Sequence, residues 1–223
     1  MSSINPTMPL DSSPVKPKLR GVSHQIAAFV ALAAGAILVL IAPSAKAAGI
    51  AAIYVLSLVG MFTISAAYHR PNWSPKARQW MRRLDHAGIF LLIAGTYTPL
   101  GVLLMPHVGR TALVIAWTGA IIGILKSLFW VGAPKVLNAI LFLALGWTSV
   151  LFLPHMFRMG GWSLVGLFAG GGLLYSVGAV IYALKRPDPF PATFGYHEIF
   201  HALVILAAGC HFAAEVFVVR HLN

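Results

Sequence analysis

The sequence predicts an all-α, polytopic membrane protein: a seven-transmembrane helix bundle with its N-terminus cytoplasmic and its C-terminus outside. Three observations predict it. Of the 223 residues, 59% are hydrophobic and only 9% charged, where a soluble domain carries roughly 25% charged residues. Seven apolar runs follow one another at 25–43, 48–69, 86–106, 111–133, 136–155, 162–184 and 197–219, each near the ~20 residues that span a bilayer. Basic residues collect in alternate connections between these runs, the distribution that marks cytoplasmic loops.

Residues 1–24 are polar and proline-rich and carry Lys16, Lys18 and Arg20. They are expected to form a disordered cytoplasmic tail, with residues 25–223 forming the transmembrane domain. The first apolar run precedes Ser44-Ala45-Lys46-Ala47, a pattern that a cleaved signal peptide also shows. Its apolar stretch is longer than a signal core, so a retained helix is expected. Residues 72–84 mix Trp73 and Trp80 with Lys76, Arg78, Arg82 and Arg83, which suits a short segment lying in the inner headgroup layer. Pro99 follows Ala94-Gly95-Thr96-Tyr97-Thr98 and predicts a kink in the third helix, with Thr96 or Thr98 satisfying the freed carbonyls. Glycines 170–172 and Gly178 predict close helix packing in the sixth. The connections are short and leave little room for an extramembrane domain.

With the N-terminus inside, the inner segments hold Lys16, Lys18, Arg20, Arg70, Lys76, Arg78, Arg82, Arg83, Lys135, Lys185 and Arg186, eleven in all. The outer segments hold four: Lys46, Arg110, Arg158 and Arg220. Lys126 lies within the fourth run and can snorkel inward. The net charge of +11 is thereby assigned to cytoplasmic loops and anionic headgroups, and nucleic acid is not an expected partner. Cys210 is the only cysteine, which excludes an intrachain disulfide and a cysteine-based metal cluster.

The chemistry-bearing residues gather at one depth. His197 and His201 are four apart in His-Glu-Ile-Phe-His, so both imidazoles lie on one helix face at metal-ligand spacing. The topology puts them at the inner end of the seventh helix. His69, with Ser65 one turn before it, falls at the inner end of the second, and Asp85 at the inner end of the third. Taken singly, each has a bland explanation: an interfacial histidine, an acid at a helix N-terminus, a packing serine. Ionisable groups are costly in hydrocarbon, and five polar side chains from three helices at one depth point to a shared site. Three histidines with one open position match catalytic zinc. Asp85 would serve either as base for a water or as an orienter of a histidine. Ser65 would orient a ligand or a substrate oxygen. His86 is expected in packing or headgroup contact, and His107 and His155 at the outer interface. His211 and Glu215 also have one-turn spacing, a weaker candidate for an outer metal or proton site.

Ser65-Ala-Ala-Tyr-His69, Leu84-Asp85-His86-Ala87-Gly88-Ile89-Phe90 running on to Gly95-Thr96-Tyr97-Thr98-Pro99, and Gly195-Tyr196-His197-Glu198-Ile199-Phe200-His201 resemble the hemolysin III family, within the progestin and adipoQ receptor (PAQR) superfamily. The resemblance covers nearly the whole membrane region. It implies a seven-helix fold, zinc held by His69, His197 and His201, and an aspartate at Asp85 that holds or activates a water there. It also implies kinship with membrane hydrolases that include alkaline ceramidases, and residence in a bacterial inner (plasma) membrane.

Four functions follow as expectations. One is a zinc-dependent hydrolase of lipid amides or esters, with Asp85 shuttling the proton. Another is a receptor, sensor or membrane-homeostasis factor in which structural zinc pins helices together and the bundle cavity holds a fatty-acyl chain. A third is an intramembrane zinc protease, since residues 197–201 fit His-Glu-x-x-His with Glu198 as base. The fourth is a hemolysin-like cytolytic protein, against which stands the absence of a water-soluble form, because such apolar runs aggregate in water. Membrane lipids are the expected partners in each case, and oligomeric state is left open.

Overall fold

The computed structural model describes residues 16–105, 108–130, 132 and 134–221. The helices are α1 (Val22–Leu40), α2 (Ala45–His69), α3 (Pro75–Pro99, continued by a π-turn over Leu100–Leu104), α4 (Gly109–Phe129), α5 (Lys135–Trp147, followed by a 3-10 turn over Thr148–Phe152), α6 (Leu153–Leu184) and α7 (Tyr196–His221). Among the described residues the only β pairing is one isolated bridge between Phe190 and Phe194. Among the described residues, six helical segments are long and apolar enough to cross a membrane. Large apolar side chains such as Phe29, Leu40, Leu56, Phe129 and Trp162 face outward, an arrangement suited to lipid and costly in water.

The longest of the six segments, Val136–Leu184, has 49 residues. As one straight helix it would measure about 73 Å, more than twice the hydrocarbon thickness. It does not run straight. Gly161 has φ 60° and ψ −158°, a conformation essentially reserved for glycine. The chain reverses there, so that Trp147 Nε1 donates to Ser176 Oγ at 2.9 Å, although on a straight helix those residues would stand about 43 Å apart. The apolar runs 136–155 and 162–184 thus pack side by side.

Two expected boundaries move. The tail was expected to reach residue 24, but residues 16–24 are folded, and residues 1–15 lie outside the described residues. Lys18 and Leu19 donate backbone N–H bonds to Ala192 and Thr193 carbonyls, Lys16 Nζ donates to Arg70 O at 2.7 Å, and Arg20 pairs with Glu198. Polar composition signalled exposure, whereas these groups have partners more than fifty positions away. Segment 72–84 is largely the first turns of α3, with Ser74 as N-cap accepting from Ala77 N and Pro75 at the first position, the Ser-Pro start that helices favour. Around Pro99, Thr96 and Thr98 each donate to the carbonyl four residues back, Leu92 and Ala94, and the π-turn follows directly.

Consecutive helices pack as neighbours, and α7 returns to touch α1, α2, α3 and α6. The start of α7 meets the end of α2, where His197 stands against His69. The α2–α3 seam depends on Gly95: a Cβ there would stand 2.0 Å from Ser57 Oγ and 2.6 Å from Ser57 Cβ. Rotating Ser57 does not relieve the second contact. Gly95→Ala is expected to lower stability by about 1–3 kcal/mol, read as thermal unfolding in nanodiscs, and adding Ser57→Gly is expected to restore most of it.

Candidate metal centre

The last residue of α2 is His69, and α7 opens on Tyr196 with His197 and His201 in its first two turns. The two helix ends bring the three imidazoles together. One ring nitrogen from each lies within 4.8 Å of the other two, and His69 Nε2 stands 3.2 Å from His197 Nε2. Three nitrogens 4.8 Å apart are about 2.8 Å from their common centre, within an ångström of a Zn–N bond. The histidines are 9%, 8% and 2% exposed in chain order, and His201 Nδ1 is buried without a hydrogen-bond partner among the described residues. An imidazole-only donor set suits a borderline cation such as zinc. The residues fit the ion that the sequence leads one to expect.

Ser65 lies one turn up α2 from His69, and the half-buried Asp85 stands on α3. Asp85 and Ser65 line one cavity of about 190 Å³ together with all three histidines. From this polar end the cavity runs past Thr96, Phe142 and Leu153 to Phe168 and His211, an almost wholly apolar wall. His86 also lines it but does not join the ligand group. A wider space of about 720 Å³ opens at the mouth, sharing His69, Asp85 and His197 with the cavity.

A fourth imidazole completes the cluster, and sequence reasoning missed it. His24, near the start of α1, is 2% exposed. Its ring stacks on His201 with centroids 3.8 Å apart and planes 8° from parallel, and its Nδ1 lies 2.9 Å from Ser65 Oγ. The tail boundary at residue 24 hid it. The signal was present: His24 stands one turn after Arg20 at the same end of its helix as His69 and His197.

Glu198 is turned away from the role that the His-Glu-x-x-His pattern suggested. It is the third residue of α7; its Oε2 accepts from Gly195 N at 2.9 Å, as the acid of a capping box does, and its Oε1 pairs with Arg20. Both oxygens are engaged at the helix start, which argues against Glu198 as a base at the histidines. Asp188 Oδ1 accepts from Tyr196 N at 3.0 Å and steadies the same helix start. The outer pair is separate from the three-histidine cluster. His211 Nε2 contacts Phe168 O at 3.3 Å, and the fully buried Glu215 has both carboxyl oxygens without a hydrogen-bond partner among the described residues. His107 lies outside the described residues.

Fold and cluster together define a multi-pass helical membrane protein with a buried polyhistidine site at one end of an apolar cavity. The pattern of the Haemolysin-III related family matches residues 12–212. The chain belongs to that family. It is 31% identical over 202 residues to Hemolysin-3 of Bacillus cereus, covering 89% of each chain. It is 32% identical over 171 residues to a Hemolysin-3 homolog of Bacillus subtilis, covering 74% of this chain and 75% of that one. Similarity extends to an adiponectin receptor protein of Drosophila melanogaster, 34% identical over 148 residues, which are 58% of this chain but 33% of the fly protein. The family thus sits with the PAQR proteins, in agreement with the resemblance read from the three motifs.

Proposed function

We propose that the protein crosses the inner (plasma) membrane seven times, N-terminus inside, and is a zinc-dependent hydrolase of lipid amides or esters. The reversal at Gly161 supports seven crossings, because it divides a 49-residue segment into two of membrane length. The eleven-to-four excess of basic residues supports the orientation. One observation carries the chemistry: three imidazoles converge where an apolar cavity ends, and the Asp85 carboxyl lines that same cavity.

His69, His197 and His201 would hold the ion. Bound zinc supplies a Lewis acid for a carbonyl and a water acidic enough to ionise near neutral pH. The chain's own groups do the rest. The apolar cavity takes the acyl chain and excludes bulk water, placing the carbonyl at the polar end. Asp85 accepts the proton from the attacking water and returns it to the leaving group. Ser65 shares the polar end of the cavity with Asp85, and His24 holds Ser65.

The relatives that carry receptor names favour a second reading, in which zinc pins α2 to α7 and an acyl chain in the cavity is sensed rather than cleaved. One experiment separates the two. Purified wild type, Asp85→Asn and Glu198→Gln are assayed for zinc content and for cleavage of a panel of lipid amides and esters. Asp85→Asn is expected to keep its zinc and lose about 10²–10⁴-fold in turnover, while Glu198→Gln keeps most activity. Undiminished turnover in Asp85→Asn would refute the assigned role of Asp85. A zinc-loaded wild type that cleaves nothing on the panel would favour the sensor.

A further inference from the structure

We propose that the space at the cavity mouth is a recognition site for the phosphate of an anionic phospholipid, whose acyl chain enters the cavity. The lipid-chain part rests on the function proposed above. The headgroup part stands on the mouth itself.

Six basic side chains line this space, Lys16, Arg20, Arg78, Arg82, Arg83 and Lys126, against two acidic ones, Asp85 and Asp188. They come from three separate stretches of chain: the N-terminal segment, the start of α3 and the end of α4. Asp188 is occupied at the start of α7, Arg20 is already paired with Glu198, and Lys126 binds the neutral Asn138 amide, which leaves Lys16, Arg78, Arg82 and Arg83 as the cations that face the space. Arg83 is half-buried, stacks on Trp80 at 4.3 Å, and has a buried Nε without a hydrogen-bond partner among the described residues. Arg78 lies over Tyr68 at 6.0 Å. The Lys16 amine is pushed below its ordinary pKa, first by burial and then by the neighbouring cations Arg78, Arg70 and Arg20. This is a concentration of like charge that an anion would relieve.

Four of the six are arginines, whose planar guanidinium meets phosphate oxygens in pairs. A multi-oxygen anion can engage groups arriving from several directions, which a carboxylate does less well. The volume, about 720 Å³, falls within the ~300–1,000 Å³ of small-ligand sites. His69, Asp85, Tyr182 and His197 line both the mouth and the apolar cavity, so a ligand that fills both is apolar at one end and anionic at the other. General attraction of basic loops to anionic lipid does not account for the arrangement. Lys76, Lys185 and Arg186 belong to the same set of connections yet do not line the space.

The test measures binding, not turnover, so its outcome is separable from that of the hydrolase reading. Full-length protein in uncharged detergent at physiological salt is titrated with dioctanoyl phosphatidylglycerol, with dioctanoyl phosphatidylcholine, and with inorganic phosphate. Phosphatidylglycerol is expected to bind at least tenfold tighter than phosphatidylcholine and than free phosphate. Arg83→Gln and Arg78→Gln are each expected to remove most of that preference, while Lys76→Gln and Lys185→Gln preserve it. Arg78 is exposed, so its variant keeps the test decisive even where Arg83→Gln fails to fold. Equal binding of the two lipids would overturn the proposal, as would equal losses in the Lys76 and Lys185 variants. Free phosphate binding as tightly as phosphatidylglycerol would also overturn it, in favour of a soluble anion site.

Discussion

His201→Ala is expected to empty the metal site. Wild type purified without chelator should carry roughly one equivalent of zinc, and the variant close to none. A catalytic zinc site has three protein ligands, and removing one leaves two imidazoles that no longer close the polyhedron. Thermal unfolding should fall as well, because an ion bound only by the folded state stabilises it by RT ln(1 + [L]/Kd), about 4 kcal/mol at a thousandfold excess over Kd. Deleting the ring also removes the surface on which His24 stacks. Stripping the wild type with a strong chelator separates these contributions: it reproduces the loss due to metal and not the loss due to packing. A wild type that carries no metal and does not respond to chelation would remove the basis of the site.

His24→Ala is expected to weaken zinc binding by about 10–100-fold without abolishing it, the usual cost of losing a group that orients a ligand. The His24 ring lies flat against His201 and its Nδ1 holds Ser65, so its loss frees both the ligand ring and the serine beside Asp85. His24→Phe dissects the effect: it keeps the stack and loses the hydrogen bond. Affinity that recovers in His24→Phe while turnover stays low would assign the stacking to the metal and the Ser65 bond to the carboxyl. Competitive titration against a calibrated chelator reads both variants. If His24→Ala lost zinc as completely as His201→Ala, His24 would have to be counted as a ligand.

Much of this molecule was legible along the chain because the relevant physics is local. The apolar runs are set by hydrocarbon thickness, and the helix pair His197 and His201 by a 3.6-residue period. The Pro99 break with its two threonines depends on neighbours four residues away. The meeting of the ends of α2 and α7 was also inferable, since counting crossings placed His69 and His197 at one depth. Sequence reasoning erred where partners lie far apart in the chain. Residues 16–24 looked like a tail because their proline and charge content reports local preference, not the carbonyls of Ala192 and Thr193 that they bind. Glu198 fitted a protease motif because spacing alone does not say which way a carboxylate turns; Arg20, 178 positions away, and the amide of Gly195 decide it.

From the sequence alone came the class of protein, the positions of its apolar segments, and three imidazoles at a common level, since each follows from period, length and polarity within one segment. Only the tertiary structure decided that His24 closes over His201, that Glu198 caps a helix and pairs with Arg20, and that the chain turns back at Gly161. Those outcomes depend on which faces of distant helices come into contact, and contact between remote segments is settled by packing the whole bundle at once.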